Sequence, residues 1–192
     1  MLKAPRPGRV KTRLAAEVGV QKAAQIYRRL VDHQIKQLPP GWPVEIHFTP
    51  GNAMAEISEW LGSEFNYFPQ ADGNLGLRLA SAAEGAFGRG ASSVMFLGGD
   101  CPGVDKALLR KAADSLLEND VVIGPAEDGG YYLLGLRKQD RLLFYRVDWG
   151  TGKVLEQTLD RIKDLGWRSE LLERLPDVDR LADWIKVEGQ IP

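Results

Sequence analysis

Ser93-Val94-Met95-Phe96-Leu97-Gly98-Gly99-Asp100-Cys101-Pro102 is the stretch on which the reading of this chain turns. Ser93 to Leu97 is a short apolar run suited to a strand buried on both faces, and the two glycines stop it. Asp100 then falls at the carboxyl end of that strand, where an open α/β sheet holds its ligands. Working back toward the N-terminus, the spacing predicts a helix over 75–87, a strand over 65–68, a short helix over 53–61 and a strand over 44–49. Before them comes a helix over 15–38, with Ala23, Ile26, Tyr27, Leu30, Val31 and Ile35 on one face and Pro39-Pro40-Gly41 as its stop. Working forward, Val104, Leu108, Leu109, Ala112, Ala113, Leu116 and Leu117 form a helical stripe. Strands over 121–123 and 131–136 and helices over 154–165 and 181–187 follow. This alternation predicts a largely parallel sheet covered by helices on both faces.

The chain has 192 residues, 44% of them apolar, enough for one substantial core, and no repeat, linker or low-complexity tract divides it. One domain spanning 1–192 is expected. A formal net charge of -1 gives the whole protein no electrostatic reason to seek nucleic acid or an anionic membrane, so any charge argument must be local. The single cysteine, Cys101, fits a reducing cytoplasm and reads as packing. No apolar run is long enough to span a bilayer, and Lys, Pro and Arg stand where a signal peptide needs apolar residues. A soluble cytoplasmic protein is expected.

Chemistry concentrates in four places. Lys3, Arg6, Arg9, Lys11 and Arg13 lie in a stretch without acids, with Pro5, Pro7 and Gly8 shaping an irregular loop that opens a helix. Such a loop suits phosphates, and it also reads as a solvated basic arm; it lacks the glycine spacing of a Walker A loop. Asp100 is placed to bind Mg²⁺ or Mn²⁺, or to serve as a turn or cap residue. In Glu127-Asp128-Gly129-Gly130-Tyr131-Tyr132, Asp128 is placed to bind sugar hydroxyls or assist the metal, with Tyr131 lining a pocket, and Asp-Gly is equally a hairpin signal. Asp177 and Asp179 precede the last helix, either as a second metal ligand or as a cap. His33 and His47 carry no legible role.

Together, Lys3 to Leu14, Gln70 to Arg78, Gly98 to Pro102 and Gly124 to Gly135 resemble a bacterial family labelled glycosyltransferase. That family lies within the nucleotide-diphospho-sugar transferase superfamily and is related to 2-phospho-L-lactate guanylyltransferase. The resemblance implies a Rossmann-like, three-layer α/β/α GT-A fold with a mostly parallel sheet. It implies that Lys3, Gly8, Lys11 and Arg13 hold phosphates, with Gln70, Gly73, Gly76 and Arg78 beside the nucleotide. Asp100 and Asp179 would be metal ligands, and Asp100, Asp128 and Lys11 would serve the catalytic centre. Gly129, Gly130 and Tyr131 would border the donor or acceptor pocket. The partners implied are a nucleotide sugar or nucleoside triphosphate and a small-molecule acceptor.

One departure from that pattern stands out. The family has an apolar strand before the basic loop, and here only Met1 and Leu2 precede Lys3, so the strand is expected to be missing and the start mis-set or trimmed. Glycosyl transfer is the reaction the family label favours. Nucleotidyl transfer, favoured by the five cations, and a nucleotide-binding regulator without turnover stand beside it.

Overall fold

A computed structural model of the chain describes residues 1–191. The elements run β1 (Leu2–Lys3), α1 (Thr12–Val18), α2 (Val20–Gln37), β2 (Glu45–Thr49), α3 (Met54–Leu61), β3 (Asn66–Pro69), α4 (Leu75–Gly88) and β4 (Val94–Leu97). They continue with α5 (Lys106–Glu118), β5 (Val121–Pro125), β6 (Tyr131–Leu136), α6 (Val154–Asp164), β7 (Ser169–Leu171) and α7 (Leu181–Val187), with 3-10 turns at Arg141–Phe144 and Glu188–Gln190. The chain forms two compact units, one of residues 1–70, 99–106 and 176–191 and the other of 71–98 and 107–175. None of the described helices is long and apolar enough to cross a membrane.

In the first unit, β1, β2 and β3 make a parallel sheet in that order, with Leu2 opposite Phe48 and Lys3 opposite Thr49. The strand expected to be missing is therefore present as two residues, because the carbonyls and amides of β2 pair with whatever chain lies beside them. Leu2, Ala4, Val10, Tyr27, Val31, Phe48 and Ile57 belong to one buried cluster, and burial of each large member contributes roughly 1.5–3 kcal/mol. The helix expected over 15–38 is two helices. Gly19, at φ 84, ends α1 and starts α2, a conformation that glycine alone adopts without strain. The predicted face of α2 is buried as read, apart from the half-buried Ile35, and Leu38 turns to extended backbone before the prolines.

In the second unit the sheet order is β4-β6-β5-β7. β5 and β7 are parallel, but β6 runs antiparallel to both β4 and β5, because only five residues separate β5 from β6 and such a connection makes a hairpin. β5 is buried throughout, whereas in β4 only Phe96 is fully buried, so the expectation of a strand covered on both faces holds for β5 and not for β4. Leu108, Leu109, Ala112 and Leu116 bury the face of α5, while Leu117 is exposed.

Candidate functional site

The basic loop is anchored at both ends by small and branched apolar residues. Ala4 and Val10 are buried, and between them Arg9 N donates to the Arg6 carbonyl at 2.9 Å, a turn that Gly8 allows at φ 76. Lys3, Ala4, Arg6, Arg9, Thr49 and Pro50 line a cavity of about 330 Å³ at the carboxyl ends of β1 and β2. Arg6 is tied to Glu56 at 2.9 Å, whereas the side chains of Lys3 and Arg9 engage no described residue. The cavity thus presents two uncommitted positive charges.

Asp100 reaches the same unit because Gly99 crosses α2 closely: a Cβ there would lie 3.0 Å from Val31 Cγ2 and 3.4 Å from Leu2 Cδ2. The Asp100 carbonyl accepts from Val178 N at 3.0 Å, stitching the segment after Gly99 to the segment before α7. These backbones bring together residues that are far apart in the chain. Lys11 Nζ donates to Asp100 Oδ2 at 3.1 Å and to the Val178 carbonyl at 2.6 Å, and lies 3.8 Å from Asp179 Oδ1. Arg13 donates to Asp179 Oδ2 at 2.5 Å. The Lys11 side chain is 6% exposed, against 42% for Asp100 and 32% for Asp179, so an interior ammonium is held by carboxylates that still face water. Asp179 does not cap α7. Asp183 does, its carboxylate accepting from Arg180 N at 2.9 Å, because a side chain three residues inside the helix reaches back to the first free amides. No group of three or more His, Cys, Asp or Glu side chains suited to a metal is found among the described residues.

Tyr27 is a component that sequence reasoning read only as core. Its hydroxyl accepts from Lys3 N at 3.0 Å and donates to the Lys3 carbonyl at 3.1 Å, and burial drives its pKa well above the ordinary phenol range. Nothing in the helical pattern of α2 distinguishes it from its apolar neighbours. Arg9 and Thr49 were legible only as a cation and a strand end. Gln70 spans β1 and β2, its amide nitrogen donating to the Leu2 carbonyl at 3.1 Å and the His47 carbonyl at 2.9 Å.

The remaining expected residues lie in the second unit. Asn74 caps α4 by accepting from Leu77 N at 3.0 Å, and Arg78 Nε donates to the Gly73 carbonyl at 3.0 Å, so this segment is a helix start. Gly76 admits the indole of Trp149, whose Nε1 would lie 2.4 Å from a Cβ. Asp128 and Gly129 form the turn between β5 and β6: Asp128 Oδ1 accepts from Gly130 N at 2.8 Å, and Gly129 sits at φ 88. The Tyr131 ring packs edge-on to Trp149 with centroids 6.4 Å apart. Burial raises its phenol pKa well above the usual range. The sequence signal for this cluster, Trp149-Gly150-Thr151-Gly152, lies outside the segments singled out above.

Residues 33–151 match a family described as an uncharacterized protein conserved in bacteria, DUF2064. Among solved structures, one from Desulfovibrio desulfuricans G20, described provisionally as a nucleotide-diphospho-sugar transferase, is 34% identical, with a TM-score of 0.91 over 97% of this chain and 83% of that one. The 4-diphosphocytidyl-2C-methyl-D-erythritol synthase of Anaerococcus prevotii DSM 20548 is 10% identical, with a TM-score of 0.61 over 85% of this chain and 88% of that one. A CMP:2-keto-3-deoxy-manno-octonic acid synthetase complexed with CTP is 14% identical, with a TM-score of 0.55 over 84% of this chain and 86% of that one. These last two show a shared fold and nothing finer. The search of curated proteins gave no match.

Proposed function

Because the chain belongs to the bacterial DUF2064 family and has the nucleotide-diphospho-sugar transferase fold, we propose that it transfers a glycosyl group from a nucleotide-diphospho-sugar to a small-molecule acceptor, with Mg²⁺ or Mn²⁺ as cofactor. The observation that carries this reading is the convergence of Asp100 Oδ2, Asp179 Oδ1 and the Val178 carbonyl on a single positive charge. Hard oxygen donors of this kind suit Mg²⁺ or Mn²⁺, which is commonly held by one or two carboxylates and completed by substrate phosphates and water. The Lys11 ammonium acts as a stand-in cation and supports the fit.

When bound, the metal would act as a Lewis acid that offsets the charge of the phosphates. Asp100 and Asp179 would hold it. Lys3 and Arg9 would grip the diphosphate in the cavity they line, with Lys11 and Arg13 completing the neutralisation. The acceptor hydroxyl oxygen forms the new bond to the sugar carbon as that carbon's bond to the diphosphate oxygen breaks, the nucleoside diphosphate leaves and the hydroxyl proton passes to water, while the chain contributes positioning and preorganised charge. Asp128, Gly129, Gly130 and Tyr131 are proposed to recognise donor sugar or acceptor.

Nucleotidyl transfer from a nucleoside triphosphate is the second reading, favoured by the five cations from Lys3 to Arg13. The ion pairs weigh against it. Arg6 is committed to Glu56 and, before a ligand arrives, Lys11 and Arg13 are paired with Asp100 and Asp179, so only Lys3 and Arg9 are free to meet the incoming anion, a charge closer to that of a diphosphate. Incubation with radiolabelled nucleotide sugars and triphosphates in Mg²⁺ or Mn²⁺ tests both. Release of nucleoside diphosphate, reduced at least about 100-fold in Asp100→Asn, is the expected result. Pyrophosphate release would favour the second reading, and tight binding without any product would mark a regulator and overturn both.

A further inference from the structure

Lys11 is held unlike any other cation of the loop. Its side chain is interior, its Nζ donates to two oxygens and lies 3.8 Å from a third, and its backbone lies in the left-handed region at φ 44, ψ 51, the only non-glycine residue besides Arg146 with positive φ among the described residues. Two carboxylates, one ammonium and one guanidinium make the cluster of Asp100, Asp179, Lys11 and Arg13 formally neutral. A divalent cation entering between those carboxylates would meet the ammonium at the place it needs. Like charges at contact distance repel even where the carboxylates between them face water, so metal and ammonium compete for the same oxygens.

We propose that Lys11 is a built-in counter-ion that keeps the metal site closed until a polyphosphate arrives. The anion draws the Lys11 ammonium away from Asp100 and Asp179, the vacated oxygens take the divalent cation, and the side chain that blocked the metal then neutralises the phosphate. Binding of metal and binding of phosphate are thereby coupled through one residue, and the coupling is reciprocal. This makes Lys11 a positioning residue that sets the order of loading, and it rests on the metal reading of Asp100 and Asp179 given above.

The test is Mn²⁺ binding measured by electron paramagnetic resonance and calorimetry, with and without a nucleoside diphosphate. It uses the wild type, Lys11→Met, Lys11→Asn, Asp100→Asn and the Lys11→Met/Asp100→Asn pair. Asn tolerates left-handed backbone, so Lys11→Asn retains the loop should Met perturb it; thermal melts check that each variant folds. Without nucleotide, Lys11→Met and Lys11→Asn are expected to bind Mn²⁺ at least about ten-fold more tightly than wild type. Adding the nucleoside diphosphate should raise wild-type affinity for Mn²⁺ at least about ten-fold and raise that of the Lys11 variants by much less. The pair should lose the gain seen in Lys11→Met. If the folded Lys11 variants bind Mn²⁺ no better than wild type while Asp100→Asn abolishes binding, the counter-ion role is wrong and the metal reading stands. If no variant binds Mn²⁺ even with nucleotide, the metal reading fails and this inference with it.

Discussion

At the scale of single residues, left-handed backbone costs an L-residue with a side chain roughly 1–2 kcal/mol, and Lys11 sustains it through its contacts with Asp100 and the Val178 carbonyl. Neither partner is near it in sequence, the separations being 89 and 167 residues, so the pairing could not be read from spacing. What was legible was each residue's type and its position after a strand or in a cationic loop. Gly129 shows the opposite balance, since Asp-Gly announces a turn by itself. Its Cβ would fall 2.2 Å from the Gly152 carbonyl oxygen, and its φ is 88, whereas a Cβ on Gly130 would meet Asp128 Oδ1 at 3.1 Å. Gly129→Ala is therefore expected to lower stability by about 3 kcal/mol or more and Gly130→Ala by about 1 kcal/mol. Urea melts of the two variants should separate clearly, and equal midpoints would contradict the clash.

Elements with a sustained hydrophobic period were legible: the ends of α4 and α6 fell within a residue of those predicted and the apolar stripe of α5 was read, whereas the helix expected over 15–38 ran α1 and α2 together across Gly19. The short ones were not. β1 has two residues and the three residues of β7 are all exposed, so neither offers a pattern to detect. β7 is instead fixed by a side chain outside the strand. Asp120 precedes β5, and its carboxylate accepts from Arg168 N at 3.0 Å, while its backbone amide donates to the Arg168 carbonyl at 2.9 Å and its carbonyl accepts from Arg137 N at the end of β6 at 2.9 Å. Lys138 Nζ lies 2.9 Å from the same carboxylate. The Arg168 amide, with help from Lys138 and Arg137, holds the Asp120 carboxyl below its usual range despite burial. A depressed carboxylate pKa stabilises the fold above the unfolded value near pH 4, and the contribution is lost as pH falls through the folded value. Asp120→Asn is expected to cost about 3 kcal/mol at pH 7 and to flatten the decline in stability as pH falls below about 4. Chemical denaturation across that range would refute the assignment if the variant declined as steeply as wild type.

For the whole molecule, a net charge of -1 coexists with five cations within the first thirteen residues, three of them already paired with carboxylates. Local charge without global charge favours a small anion over a long one, because an extended polyanion also meets the acids elsewhere on the surface. Fluorescence anisotropy with a labelled single-stranded oligonucleotide at about 150 mM salt should show no binding; salt-dependent retention there would reassign the loop to nucleic acid. The parallel pairing of the first sheet and the carboxyl-end position of Asp100 followed from the alternation of strands and helices, whereas the reversed direction of β6 depended on how few residues join it to β5. The phenol of Tyr27 engages both the amide and the carbonyl of Lys3, so one side chain from α2 does for the first residues what an adjoining strand would do. The start of the chain is hemmed to a helix, and any shift of α2 at Tyr27 would be transmitted, bond by bond, to a cation that faces the cavity.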